Sequence, residues 1–355
     1  MYFCLIQHYF MREEVFQNWL HNRKKHKESL TAEILFEKII SGDRNALSAG
    51  ITLIESLQST DQTKAAKLIE MCMPYTGKSF RIGITGIPGV GKSTFIESFG
   101  KVCIDSGKKV AVLSIDPSSD KTNGSILGDK TRMVLLSTSE NAFIRPTSSG
   151  NTFGGVARAT REAIMLCEAA GYDLILIETV GVGQSETSVN AMVDLFLLLM
   201  LSGAGDELQG IKRGIMELAD VVLITKADRN NIELAKRTKQ IYSQALHYFP
   251  TSENDWMTRV LTYSCEDILS VKDVQSVVLE FERFVKHNNY FESNRHKQQI
   301  YWMRETIKQL FESDVRKIDK SLVSSTEKSI LNGEISPFKG AEIIYNELIK
   351  KYNGN

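Results

Sequence analysis

The chain has 355 residues, enough for one large domain with additions or for two domains. Its 43 lysine and arginine residues balance 43 aspartate and glutamate residues, which argues against a nucleic acid or an anionic membrane as its partner. With 42% hydrophobic residues the sequence is too apolar for a disordered chain and predicts a globular protein with a sizeable core.

Neither a targeting segment nor a membrane span is predicted. The longest apolar run, residues 195–201, is far shorter than the roughly 18 residues that suggest a span. The first ten residues lack the pattern of a cleaved leader. The five cysteines are widely spaced without a C-x-x-C pair, so they predict neither a disulfide framework nor a zinc site. We therefore expect a cytoplasmic protein.

Helices are predicted at both ends of the chain. Apolar residues recur at helical spacing between about residues 31 and 72, so we predict an N-terminal helical region over residues 1–78. After residue 288 the chain is again polar and helical, with apolar stripes but little bulk. We predict a C-terminal helical extension over residues 291–355 that packs on its own body or on a second copy.

The middle of the chain, residues 79–290, alternates short β-rich runs with helical stretches. Runs that are apolar on both faces and alternate with helices are typical of a parallel sheet covered on both sides. The predicted fold is an α/β domain with a mostly parallel central sheet flanked by helices. Its predicted strands are residues 81–85, 110–115, 142–144, 174–177, 195–201, 221–224 and 260–262.

A phosphate-binding loop is the strongest signal in the sequence. The run Gly86-Ile87-Pro88-Gly89-Val90-Gly91-Lys92-Ser93 matches G-x-x-x-x-G-K-[ST] between a predicted strand and a helix that begins at Thr94. In such a loop the backbone N–H groups surround the phosphates, Lys92 reaches the β- and γ-phosphates, and the Ser93 hydroxyl ligates Mg²⁺. The central domain is therefore predicted to be a P-loop domain that binds a nucleoside triphosphate with Mg²⁺.

A second motif predicts the base. Thr225-Lys226-Ala227-Asp228 follows a predicted strand, and a carboxylate there accepts hydrogen bonds from guanine N1–H and the 2-amino group. Adenine offers neither donor. Ser264 and Cys265 stand where GTPases have a second turn that contacts the base. Together these residues predict GTP and GDP as ligands.

A third motif is typical of a γ-phosphate sensor. An apolar strand ends in Glu178, which would hold Mg²⁺ through water, and the N–H of Gly181 would bond the terminal phosphate. Val182 stands where Ras-like enzymes have the glutamine that orients water, so intrinsic hydrolysis is expected to be slow. From the residues alone, Asp116 and Asp129 are either contacts of Mg²⁺ or of the attacking water, or ordinary turn carboxylates.

The assembled motifs resemble the MeaB/ArgK-type GTPases, the methylmalonyl-CoA mutase-associated G proteins of the SIMIBI class. The likeness covers residues 32–288 and is most specific in Glu178-Thr-Val-Gly-Val-Gly-Gln-Ser-Glu186. It also includes residues 42–56 and Arg145-Pro146. The resemblance implies an Mg²⁺-dependent GTPase that acts as a chaperone of an adenosylcobalamin-dependent acyl-CoA mutase, gating cofactor loading and protecting the mutase from inactivation.

The resemblance also implies residue roles and an assembly. Asp116, Asp129 and Glu178 would belong, with Lys92, to the Mg²⁺ and switch machinery. Three residues of a third switch would contact the mutase, which would stimulate the slow hydrolysis: Asp206, Gln209 and Lys212. Members of the family are homodimers joined through a C-terminal helical extension, which would account for the apolar stripes after residue 288.

Two positions depart from the family pattern. The family commonly has Asn where Thr225 stands, although signal-recognition-particle GTPases of the same class resemble this chain there and use guanine. This departure concerns nucleotide affinity more than the identity of the base. Cys265 replaces the usual Ala, which matters little if a backbone N–H makes that contact.

Two other functions remain open from the sequence. A metal-insertion GTPase of the hydrogenase or urease type would share the loop and the sheet. It would need a Cys/His metal site near the switches, and all six histidines lie outside residues 79–246. An ATP-dependent small-molecule kinase or transport ATPase would also share the loop, but Asp228 argues against adenine.

Overall fold

The computed structural model describes residues 30–115, 133–147, 153–179, 186–203, 213–249 and 253–353. Contacts within the chain divide it into two compact units, Met1–Phe291 and Glu292–Asn355. Among the described helices, none combines the length and the apolar character that a membrane span requires.

A seven-stranded parallel sheet forms the centre of the first unit, in the order β3-β2-β4-β1-β5-β6-β7. Because all the strands are parallel, their carboxyl ends meet at one edge, where α/β proteins bind ligands. The predicted parallel sheet is therefore confirmed. The strands are β1 Phe80–Gly86, β2 Val110–Ile115, β3 Ala142–Thr147, β4 Leu174–Thr179, β5 Leu195–Leu201, β6 Val221–Thr225 and β7 Arg259–Thr262.

Helices precede, connect and follow the strands. The helices before the sheet are α1 Ala32–Ile40, α2 Arg44–Glu55 and α3 Ser59–Cys72. Those between its strands are α4 Lys92–Asp105, α5 Val134–Thr138, α6 Phe153–Ala169, α7 Glu186–Asn190, α8 Arg213–Leu218 and α9 Ile232–Leu246. Those after it are α10 Ile268–His287, α11 Tyr290–Val315, α12 Lys320–Leu331 and α13 Pro337–Asn353.

The N-terminal helices pack against the sheet's own layer of helices. The Asp43 side chain caps α2 by accepting from the N–H groups of its second and third residues. At Gly50 of α2, an added Cβ would lie 3.1–3.3 Å from the side chains of Ile39, Leu68 and Leu166. Because these three belong to α1, α3 and α6, a glycine at this point lets four helices approach closely.

Three aspartates tie neighbouring strands together at the amino edge of the sheet. Asp173, Asp194 and Asp220 each directly precede a strand and accept a backbone N–H from the strand beside it or from the residue before that strand. The donors are Lys109 N–H, Arg81 N–H and Phe196 N–H, at 2.8 Å in each case. These contacts hold the strand register at the edge opposite the predicted ligand site.

Asp220, which is half-buried, generates a pH prediction. Burial raises the pKa of Asp220 to about 7, against the opposing hydrogen bonds from Phe196 N–H and the Asn254 amide. The unfolded carboxyl titrates near 3.8, so the stabilising contribution of the folded carboxyl is complete below that value and is lost as the pH rises through about 7.

We therefore expect the melting temperature to fall by several degrees between about pH 5 and about pH 8, and Asp220→Asn to flatten that slope. Circular dichroism melts across this range measure both proteins. Asp173→Asn is the matched control, since it changes the same type of strand contact at an exposed position and should keep the wild-type slope. A wild-type slope retained in Asp220→Asn would contradict the assignment.

Candidate nucleotide site

The phosphate loop joins β1 to α4 and turns on glycines. Gly86, Gly89 and Gly91 have φ of +151°, +77° and +103°, a region that residues with a side chain rarely adopt. A Cβ on Gly86 would lie 2.6 Å from the carbonyl oxygen of Leu199 on β5. Glycine is thus required at the first position both by the backbone angle and by the close approach of a neighbouring strand.

Lys92, the first residue of α4, folds back over the loop. Its Nζ donates to the carbonyl oxygens of Gly86 at 2.8 Å and Ile87 at 3.2 Å. Burial lowers the pKa of Lys92, and the nearby Glu178 carboxylate opposes that shift. The ammonium group therefore lies within the loop, where a positive charge would stabilise bound phosphates.

Ser93 and Glu178, both predicted to serve Mg²⁺, lie side by side. Glu178 of β4 is in register with Ile84 of β1, and its Oε1 accepts a hydrogen bond of 3.0 Å from the Ser93 hydroxyl. Oxygen ligands of this kind are the ones that Mg²⁺ prefers, and the ion usually keeps several of its waters. The pair therefore places a hydroxyl that can ligate Mg²⁺ beside a carboxylate that can hold the ion through one of those waters.

A buried pair of threonines joins the two strands beneath this contact. The hydroxyl of Thr179 donates to the hydroxyl oxygen of Thr85 at 2.9 Å, and both residues are fully buried. Thr85 precedes the first glycine of the phosphate loop, and Thr179 follows Glu178. The pair therefore holds the ends of β1 and β4 at a fixed separation. The contact joins residues 94 positions apart, so the sequence alone does not reveal it.

Thr225 lies beneath the phosphate loop. Its buried hydroxyl is 2.9 Å from the carbonyl oxygen of Val90 in the loop and 3.1 Å from the carbonyl oxygen of Met200 on β5. The short side chain thus links β6 to the loop and to the neighbouring strand. This contact gives Thr225 a structural role beneath the loop.

The two turns expected to read the base are hydrogen-bonded to each other. The buried Ser264 hydroxyl donates to Asp228 Oδ2 at 2.8 Å and accepts from the N–H of Glu266 at 3.1 Å. The N–H of Ala227 donates to the carbonyl oxygen of Tyr263 at 3.1 Å. The Asp228 carboxylate is therefore held in place by the second turn.

Exposed side chains border these turns. Arg229 pairs with Glu266 at 2.5 Å, an ion pair that the sequence patterns do not reveal because its members are 37 residues apart. Lys226 is exposed with φ of +57°, and Cys265 is an exposed free thiol. Both therefore lie at the surface beside the Asp228–Ser264 contact.

The structure describes only part of the predicted site. Within the loop, Pro88 and Thr94 are exposed and Val90 is buried. Six predicted site residues lie outside the described residues: Asp116, Asp129, Gly181, Asp206, Gln209 and Lys212. Their roles remain predictions.

Comparison with known proteins identifies the family. The family model described as methylmalonyl Co-A mutase-associated GTPase MeaB matches residues 47–320. This chain belongs to the MeaB family. Its relatives include GTPase ArgK of Escherichia coli, which is 43% identical over 277 residues and is matched over 78% of this chain and 83% of ArgK.

A mouse relative and a solved structure extend the comparison. The mouse protein, named methylmalonic aciduria type A homolog, mitochondrial, is 39% identical over 330 residues, covering 90% of this chain and 80% of its own length. The crystal structure of a LAO/AO transport system kinase superimposes with a TM-score of 0.71 at 33% identity, covering 89% of this chain and 96% of that one. This chain is therefore a GTPase with the P-loop fold of the MeaB family and hydrolyses GTP.

The position of Thr225 in this MeaB-family protein leads to a prediction. Thr225→Val keeps the shape but removes the one hydroxyl hydrogen that the Val90 and Met200 carbonyl oxygens share, at a cost of about 1–3 kcal/mol. We expect it to weaken GDP binding roughly tenfold in titrations with a fluorescent GDP analogue. Thr225→Ser retains the hydroxyl and serves as the control. Equal affinities of the valine variant and the wild-type protein would exclude Thr225 from supporting the loop.

Proposed function

We propose that this MeaB-family GTPase uses Mg²⁺ and acts as a chaperone of an adenosylcobalamin-dependent acyl-CoA mutase, gating cofactor loading and protecting the mutase from inactivation. The observation that supports Mg²⁺-dependent GTP chemistry is the contact between Ser93 and Glu178 beside the Lys92 ammonium group. Support for the mutase comes from the description of the family and from the name of the mouse relative.

In the proposed mechanism, each step is assigned to particular residues. The Ser93 hydroxyl and the Glu178 carboxylate would hold Mg²⁺, and Asp116 and Asp129 would complete the switch machinery. When bound, the ion would neutralise charge on the β- and γ-phosphates. Lys92 contributes a positive charge within the loop, and the loop's N–H groups orient the phosphates. The missing glutamine at Val182 leaves intrinsic hydrolysis slow, so we propose that the partner stimulates it.

We also propose that the C-terminal extension joins two copies of the chain, with residues 1–78 as the N-terminal helical region and 79–290 as the GTPase domain. Helix α11 has large apolar side chains at helical spacing that are each at least 45% exposed: Ile300, Met303, Ile307, Leu310 and Phe311. A stripe of this kind on one helix face is typical of a surface that packs against another chain. Size-exclusion chromatography with light scattering tests the dimer directly.

Asp228 gives a test of the base. Asp228→Asn replaces one acceptor with a donor facing guanine, so we expect GTP binding to weaken roughly 10- to 100-fold and xanthosine triphosphate binding to improve. Competition against a fluorescent GTP analogue measures both affinities, with ATP as a third competitor. Asp267→Asn, a change of the same type at the nearby N-cap of α10, should leave GTP binding intact. Effective competition by ATP in the wild-type protein would instead favour the kinase alternative.

Coupling to the mutase gives a separate test. Asp206→Ala and Lys212→Ala should leave intrinsic hydrolysis nearly unchanged and reduce mutase-stimulated hydrolysis, because these side chains would act only in the complex. Phosphate release with and without a cobalamin-dependent acyl-CoA mutase measures both rates. Lys272→Ala and Asp273→Ala change the same residue types at exposed positions on α10 and serve as controls. If no mutase tested increases the rate of GTP hydrolysis, the proposed role as a mutase chaperone is contradicted.

A further inference from the structure

Two stretches of family likeness lie outside the nucleotide site, and the structure joins them. One is α2 and the other is Arg145-Pro146 near the end of β3. The Arg145 guanidinium donates to the Ser48 hydroxyl at 3.3 Å, the Thr52 hydroxyl at 3.2 Å and Glu55 Oε2 at 2.8 Å. Three successive turns of α2 therefore attach this helix to the outermost strand of the sheet.

A cavity of about 410 Å³ opens beside this contact, within the 300–1,000 Å³ range typical of small-molecule sites. We name it the α2–β3 cavity. It is lined by three residues of α2, one residue of α5 and four residues of β3: Arg44, Asn45, Ser48, Ser137, Phe143, Ile144, Arg145 and Pro146.

The lining of the α2–β3 cavity carries positive charge without a carboxylate of its own. Arg145 is neutralised by Glu55, which lies outside the lining. Arg44 is exposed and donates to the carbonyl oxygen of Ser139 at 3.2 Å, and no described carboxylate lies within ion-pair distance of it. A guanidinium group without a carboxylate partner can donate two parallel hydrogen bonds to the carboxylate or phosphate group of a ligand.

The remaining lining suits the rest of an organic anion. The Asn45 amide and the Ser48 and Ser137 hydroxyls add polar groups, whereas the Phe143, Ile144 and Pro146 side chains supply apolar surface. The lining is therefore mixed, with five polar residues and three apolar ones, and offers contacts for both parts of an organic anion.

The cavity lies along the outermost strand of the sheet, away from the phosphate loop. Arg145 is in register with Leu113 of β2, which is in register with Ile177, the residue before Glu178. The cavity extends along β3 from its amino end, where Arg44 bonds the Ser139 carbonyl oxygen, and lies three strands or about 14 Å from β1. It is separate from the phosphate loop.

We infer that the α2–β3 cavity is a second ligand site of this protein and binds a small organic anion. The carboxylate or phosphate group of the ligand pairs with Arg44, and its apolar part contacts Phe143 and Pro146. The guanidinium of Arg145, held by α2, keeps the wall of the cavity in place and adds to its positive potential.

Isothermal titration calorimetry of the full chain tests this site. The protein is first saturated with GDP and Mg²⁺ so that the phosphate loop is occupied. Phenyl phosphate and phenylacetate are the phosphate and carboxylate probes, and benzyl alcohol is the neutral probe of similar size. We expect at least one anionic probe to bind and the alcohol to bind far more weakly. Equal binding of the alcohol, or no binding of either anion, overturns the inference.

Two variants locate the binding. Arg44→Glu should lower the affinity for the anionic probe roughly 10- to 100-fold, because it removes a charge-assisted hydrogen bond and adds electrostatic repulsion. Glutamate at the first turn of α2 is favourable for the helix, so this variant should remain folded. Arg237→Glu, the same change at an exposed position on α9, is the matched control and should bind the probe normally. If Arg44→Glu bound the probe as tightly as the wild-type protein, the probe would be binding at another site, and the assignment would be overturned.

Asn45→Asp provides an independent variant. It adds a negative charge to the cavity wall at a helix position that tolerates an acid, and it should also weaken the anionic probe. GDP affinity, measured on the same samples, should stay at the wild-type value in all three variants. A parallel loss of GDP affinity would mean that the probe reports on the nucleotide site, which also overturns the inference.

Discussion

The chain leaves β1 at Gly86, where the backbone passes so close to the Leu199 carbonyl that no side chain fits. The nucleotide site is organised around this crossing. Since β1 lies between β4 and β5, the loop is flanked on one side by the strand that ends in Glu178. On the other side, β6 follows β5 and contributes Thr225 beneath the loop. A displacement of β1 would therefore alter the loop, the Ser93–Glu178 contact and the Thr225 contact together.

The described parts of the site are joined by buried hydroxyl groups. The Thr85–Thr179 pair fixes β1 against β4, Thr225 links β6 to the loop, and Ser264 holds Asp228. All these hydroxyls are buried, so the loss of one would leave a polar partner without compensation. The geometry of the site therefore depends on short polar side chains as much as on its charged residues.

The sequence predicts the sheet and the phosphate loop well because both depend on local patterns. Apolar runs bounded by turns mark the strands. The spacing of Gly86, Lys92 and Ser93 by itself indicates a phosphate-binding loop. The sequence does not predict contacts between distant segments, such as Thr225 with Val90 or Arg229 with Glu266. These contacts depend on the order of the strands, which periodicity leaves undetermined. The same holds for the α2–β3 cavity, whose residues come from separate stretches of the chain.

The strand order also bears on how the protein is made. Arg81, at the start of β1, bonds Asp194 across 113 residues, and the Asp228–Ser264 contact closes only after β7 has been synthesised. Pairings between such distant segments form late during folding. Nearly the whole first unit must therefore be synthesised before the Asp228–Ser264 contact can form. Until β6 and β7 have been synthesised, the apolar strand β5 presents one unpaired edge, which is a site where an emerging chain can aggregate.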